Sequence, residues 1–118
     1  TEDELLTFES ELTDRFGLMP QQVLDLFDSV RVKWAAKNIG LERVILKKEK
    51  MIGYFVADQR SDYFQSPAFT KVLHFVQQHP DICTMKEKQT KNGLRLLLAF
   101  ENISNVHKAL ATLENISI

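Results

Sequence analysis

The stretch Phe8-Glu9-Ser10-Glu11-Leu12-Thr13-Asp14-Arg15-Phe16-Gly17-Leu18-Met19-Pro20 closes one amphipathic helix and opens another. Leu5, Phe8, Leu12 and Phe16 recur at three- and four-residue spacing, which predicts a single apolar helical face. Gly17 is a natural stop, because glycine enters the left-handed region without a Cβ clash. Pro20 suits the first turn of the next helix, where a missing N–H costs nothing. Glu11, Asp14 and Arg15 lie at i, i+3 and i+4, so they share one charged edge beside the apolar stripe, with Glu11 and Arg15 spaced as an ion pair.

Outward from this stretch, the spacing predicts a first helix from near Asp3 to Phe16 and a second from Pro20 to about Asn38. In the second, Val23, Leu26, Phe27, Val30 and Trp34 are expected to face inward. Asp25 and Asp28 come early and Arg31, Lys33 and Lys37 late, as the helix dipole prefers, and Gly40 ends the segment. Two strands, Glu42 to Lys48 and Met51 to Ala57, are expected to form a hairpin through a Lys-Glu-Lys connection. Ile52, Tyr54 and Val56 alternate with Gly53, Phe55 and Ala57, so both faces are largely apolar, as in a covered strand. Residues 58–65 read as a loop. Ser66 is the expected N-cap of a third helix that buries Phe69, Val72, Leu73 and Val76 and stops before Pro80. A second hairpin, Ile82 to Thr90 and Leu94 to Glu101, flanks Asn92-Gly93, a dipeptide suited to a type I′ turn. Leu94, Leu96, Leu98 and Phe100 share one face of its second strand. A fourth helix starts near Ser104 and buries Val106, Ala109, Leu110 and Leu113. The expected fold is α+β in the order ααββαββα, a single domain over residues 1–118, with a helical hairpin at 1–40 and a mixed part at 41–118.

Length and composition agree with one core. The chain has 118 residues, 44% apolar and 26% charged, and no run approaches the roughly 18 apolar residues of a membrane helix. Thr1 opens directly into helical sequence, so the chain reads as a piece of a longer protein. A formal charge of −1 argues against a domain that grips nucleic acid alone, since phosphate neutralisation supplies most of that affinity. The lone Cys83 cannot close an internal disulfide, in keeping with a reducing, cytoplasmic setting.

Residues capable of chemistry are sparse. The sequence holds no Gly-x-x-x-x-Gly-Lys-Ser/Thr phosphate loop, so this segment is not expected to hydrolyse ATP. His74, His79 and His107 are not spaced as a metal-ligand set, and Cys83 offers one thiolate at most. Surface histidines and a small core cysteine are the expected readings, with no catalytic, cofactor or metal residue. Lys47, Lys48 and Lys50 in one hairpin and Lys86, Lys88 and Lys91 in the other, with Tyr54, Phe55, Tyr63 and Phe64 nearby in sequence, admit a nucleic-acid face. They equally admit lysines that protect strand edges from aggregation, and the balanced charge favours that reading. Glu11, Asp14 and Arg15 admit two readings as well, a solvated helix face or a docking edge.

The run Phe8-Glu9-Ser10-Glu11-Leu12-Thr13-Asp14-Arg15-Phe16-Gly17-Leu18-Met19-Pro20, followed by Arg31-Val32-Lys33-Trp34-Ala35-Ala36-Lys37-Asn38-Ile39-Gly40-Leu41, resembles the start of the C-terminal domain of bacterial transcription-repair coupling factors, the Mfd family. The match is specific over about the first third of the chain. The resemblance implies a non-catalytic regulatory domain of an ATP- and Mg-dependent DNA translocase that removes stalled RNA polymerase from double-stranded DNA. It also implies an intramolecular clamp on a UvrB-like N-terminal module, which hides the surface that recruits UvrA. In that reading Glu11, Asp14 and Arg15 are the docking residues, and the segment itself carries no cofactor, no membrane contact and no nucleic-acid site. The alternative is a small nucleic-acid-binding module that uses the lysine-rich hairpins.

Overall fold

The computed structural model describes residues 1–117 and shows four helices and four strands in the order ααββαββα, with one added turn of 3-10 helix. Helix α1 spans Glu2–Phe16, with Thr1 capping it through its hydroxyl, which accepts the Glu4 N–H at 3.3 Å. Gly17 ends it at φ 83°, and its N–H donates to the Thr13 carbonyl. Helix α2 spans Gln21–Asn38, with Pro20 in the extended capping position. Ile39 closes α2, and Gly40 at φ 95° turns the chain into the sheet.

Strands β1 (Leu41–Lys47), β2 (Lys50–Phe55), β3 (Cys83–Thr90) and β4 (Gly93–Phe100) form one antiparallel sheet in the order β1-β2-β4-β3. Both hairpins thus join one sheet through the β2–β4 pair, in which Met51 lies opposite Phe100 and Tyr54 opposite Leu97. The first hairpin turns on Lys48 and Glu49, with φ values of 51° and 63°. Both central residues are therefore left-handed, as a two-residue hairpin turn matched to strand twist requires. The Ile103 N–H donates to the Glu49 carbonyl at 2.8 Å, tying this turn to the segment after β4. The second hairpin differs from the type I′ turn expected at Asn92-Gly93. Thr90 pairs with Gly93, so Lys91 and Asn92 are the central residues, and only Gly93 has a positive φ, at 110°. The Thr90 hydroxyl accepts the Asn92 N–H and donates to the Gly93 carbonyl, which stabilises the shifted turn.

The core lies between the sheet and helices α2, α3 (Pro67–Gln78) and α4 (Val106–Ser117). Met51, Phe55, Leu98, Phe100 and Cys83 project from the sheet onto Val32, Ala36, Val72, Ala109 and Leu113. Strand parity explains the choice. In β2, Met51, Gly53 and Phe55 face the helices and are buried, whereas Ile52 and Tyr54 face outward and are half-buried. One face of β2 is covered, not both. Gly53 leaves room for Leu41 of the neighbouring strand, whose side chain occupies the space a Cβ would take.

Residues 58–65, expected to be a loop, contain a 3-10 helix at Asp62–Gln65, started by Ser61, whose hydroxyl accepts the Tyr63 N–H. It packs Tyr63 and Phe64 with Phe55 and Phe69 at ring separations of 5.2 to 6.5 Å. The Tyr63 hydroxyl donates to the Ile39 carbonyl at the end of α2. Ser66 caps α3 as expected, accepting the Phe69 N–H. Phe75 joins Val72 as a buried residue of α3, while Leu73 is exposed. In α4, Ala109, Leu113 and Ile116 are buried and Val106 and Leu110 pack at the margin. That helix begins two residues after Ser104, with the Asn105 carboxamide accepting the Lys108 N–H at 2.8 Å.

The largest departures concern the helical hairpin. α1 has no buried residue; Leu5 and Leu12 are half-buried, and Phe8 and Phe16 are exposed. In α2, Phe27, Val32 and Ala36 are buried, whereas Leu26, Val30 and Trp34, expected to face inward, remain exposed. The sheet contacts only one side of α2, so spacing alone left the inward side undetermined.

Candidate docking surface on the first helix

Helix α1 is attached to α2 by side chains. Phe8 meets Phe27 edge to face at 6.0 Å between ring centroids. Arg31 of α2 reaches three carboxylates: Glu2 at 3.0 Å, Asp28 at 3.1 Å and Glu9 at 3.5 Å. Its side chain is 18% exposed, so these pairs are partly shielded from solvent. The bonds to Glu2, Asp28 and Glu9 raise the pKa of the guanidinium, against an opposing effect of burial. Glu9 is one anchor of α1, and Arg31, expected as a dipole-compensating charge, is the other. The i, i+3 spacing of Asp28 and Arg31 was legible in the sequence. The reach from Arg31 to Glu2 and Glu9 was not, because it spans 29 and 22 residues.

This attachment fixes which side of α1 faces out. Glu2 and Glu9 are seven residues apart and share the side that meets Arg31. Glu11, Asp14 and Arg15 fall on the far side of the 3.6-residue helical repeat, and all three are exposed. The expected Glu11–Arg15 ion pair does not form, nor does either residue pair with another charged group among the described residues. Two carboxylates and a guanidinium are thus presented to solvent with their hydrogen-bonding capacity free. Beside them lie Phe8 at 52% exposure, Phe16 at 69% and, just past the helix, Leu18 at 94%. Aromatic residues and arginine are enriched at protein interfaces relative to the rest of the surface.

The other candidate residues do not converge. Cys83 is buried in the core, and desolvation pushes its thiol up to about 12. His79 stacks on Phe75 with ring centroids 4.2 Å apart, and His107 lies 3.9 Å from Asp28 at the surface. Among the described residues no three His, Cys, Asp or Glu side chains come together as a metal site. The lysine-rich hairpins point apart. β2 and β4 are antiparallel, so the turn at Lys48-Glu49 and the turn at Lys91-Asn92 lie at opposite ends of the sheet. Of the aromatics in that reading, Phe55 is buried, and Tyr63 and Phe64 are packed in the aromatic cluster. Tyr54 alone sits on the open face, between the guanidinium groups of Arg43 at 5.8 Å and Arg95 at 5.3 Å.

A four-stranded antiparallel sheet under three helices, with a charged fourth helix held at its side, defines a small α+β domain. The chain belongs to the TRCF domain family, whose model matches residues 1–66, from the start of α1 into the aromatic turn. A transcription-repair-coupling factor from Borreliella burgdorferi is 25% identical over 118 residues, covering 100% of this chain and 10% of that protein. The chain therefore spans about a tenth of the length of the curated relative it matches. No solved structure matches it. Among the described residues no helix is long and apolar enough to cross a membrane.

Proposed function

We propose that this chain is the non-catalytic regulatory domain of a transcription-repair coupling factor, working in the cytoplasm as part of a longer protein. In this reading α1 docks on a UvrB-like N-terminal module of the same protein through Glu11, Asp14 and Arg15. Docking masks the surface that recruits UvrA and restrains the motor, an ATP- and Mg-dependent translocase that moves on double-stranded DNA and removes stalled RNA polymerase. The observation that carries the reading is the outward display of Glu11, Asp14 and Arg15, unpaired, on a helix whose opposite side is anchored by Arg31. That helix lies within the segment the TRCF family model matches. The two carboxylates suit a basic patch on the partner, and the exposed Phe8 and Phe16 supply apolar area beside it.

The test uses the full-length parent. Glu11→Lys with Asp14→Lys leaves the isolated domain within about 0.5 kcal/mol of its original stability, because both side chains are exposed and unpaired. In the parent, losing desolvated interfacial pairs costs roughly 2–5 kcal/mol of docking, about 30-fold or more in the closed–open balance. The double variant accordingly captures more UvrA in a pull-down than the unaltered protein does. Equal capture by two folded proteins removes the docking role from these residues.

A further inference from the structure

A second surface lies along the outer edge of the sheet. β1 is an outer strand of the sheet, so one row of its backbone N–H and C=O groups has no strand beside it. Alongside it, α2 and β1 enclose an open groove of about 720 Å³. Its apolar walls are Val32 and Ala36 of α2 and Val44 and Leu46 of β1. Lys33 and Lys37 line the α2 side of the same groove, whereas Arg43 and Lys47 of β1 belong to the open face with Tyr54, and none of these four cations has a carboxylate within ion-pair distance among the described residues. The only acid in the lining, Glu42, is already held by Arg95 at 2.8 Å.

Three features coincide: an unpaired strand edge, an apolar slot between that strand and α2, and uncompensated positive charge on both sides of the edge. A helix laid in the groove would leave the strand edge unpaired. An extended segment satisfies it, because main-chain bonds supply affinity while alternate side chains enter the slot. The intervening side chains point to the open face of the sheet, where Arg43 and Lys47 of β1 select carboxylates on that segment. We propose that the groove between α2 and β1 takes an acidic, extended peptide segment of a partner protein, which adds to the sheet as a fifth strand with every second side chain, an apolar one, between Val32, Ala36, Val44 and Leu46. This surface shares no residue with Glu11, Asp14 and Arg15, so the two assignments stand or fall separately.

The probe is a nine-residue acetylated peptide of alternating carboxylate and valine residues, titrated into the isotopically labelled 118-residue chain, with a peptide carrying lysines in place of the carboxylates as its counterpart. The acidic peptide is expected to shift the amide resonances of residues 41–47 and 32–37 and to bind at least tenfold more tightly than the basic one. Arg43→Glu with Lys47→Glu, both exposed positions, weakens it about tenfold with the spectrum otherwise intact. Single N-methylation along the peptide gives losses at alternate positions, the period of a strand. Losses at every interior position would identify a helical occupant and overturn the proposal. So would equal binding of the two peptides, or the absence of shifts in β1 at millimolar peptide. Concentration-dependent dimerisation in sedimentation, with broadening confined to β1, would assign the edge to a second copy of the chain and overturn it as well.

Discussion

Replacing Arg31 by methionine isolates what holds α1 to the rest of the domain. Methionine keeps an apolar stem of similar reach and removes only the charge and its hydrogen bonds. The pair with Glu2 involves a carboxylate about half exposed, and such a pair contributes about 0.5 kcal/mol. Glu9 and Asp28 are better shielded, at 26% and 17% exposure. Charged hydrogen bonds of that kind contribute about 1 kcal/mol each. Asp28 lies on α2 itself, so only the pairs with Glu2 and Glu9 hold α1, and the expected loss of that attachment is about 1.5 kcal/mol, roughly a tenfold rise in local opening. It falls on α1 in particular, because that helix buries no residue and 15 residues of isolated helix are marginal in water. Native-state hydrogen exchange is the assay. Amides across α1 should lose about tenfold of protection in Arg31→Met, while the β4 amides of Leu97 and Leu98, set by global unfolding, change far less. Unchanged protection in α1, or an equal drop in β4, would refute the view that Arg31 is the local anchor.

Two further expectations follow from the core. A Cβ at Gly40 would overlap the Tyr63 ring, and Gly40 sits at φ 95°, so Gly40→Ala should lower stability by about 2–4 kcal/mol in urea unfolding. The Cys83 thiol should resist iodoacetamide at pH 8.5 in the folded chain and react at once in urea. Burial raises its folded pKa from 9.0 to about 12, so the stability held in the neutral thiol is fully present below pH 9 and is lost as pH rises from 9 toward 12. Tyr63, raised from 10.0 to about 12 by the same cause, adds to the loss from pH 10 upward. The urea midpoint should therefore fall between pH 8 and 10.5, and fall less in Cys83→Ala.

Local signals in the chain determined the elements themselves. Gly17, Gly40 and the Ser66-Pro67 pair mark helix ends through backbone conformation and capping, which depend on neighbours a few residues away. The alternation in β4 likewise placed Leu98 and Phe100 on one face, whereas in β2 both faces read as apolar and the structure chose the side of Met51 and Phe55. The pattern Glu11-Leu12-Thr13-Asp14-Arg15-Phe16-Gly17 pointed to the family that the match over residues 1–66 now shows. Tertiary structure decided which side of each element is inward. Leu26, Val30 and Trp34 are spaced as a core stripe, yet the sheet lies against Val32 and Ala36, so the stripe is left in solvent. The turn at Lys91-Asn92 follows the register of β3 on β4 rather than the local preference of Asn92-Gly93, because this pairing sets Met85 opposite Leu98 and Cys83 opposite Phe100, whereas a turn on Asn92-Gly93 would set Glu87 opposite Leu98. The reach of Arg31 to Glu2 and Glu9, and the unpaired edge of β1 beside α2, exist only once distant segments meet. Propensity and periodicity are properties of neighbouring residues. The choice among faces is made by the burial of apolar area across the whole domain, and that sum has no local signature.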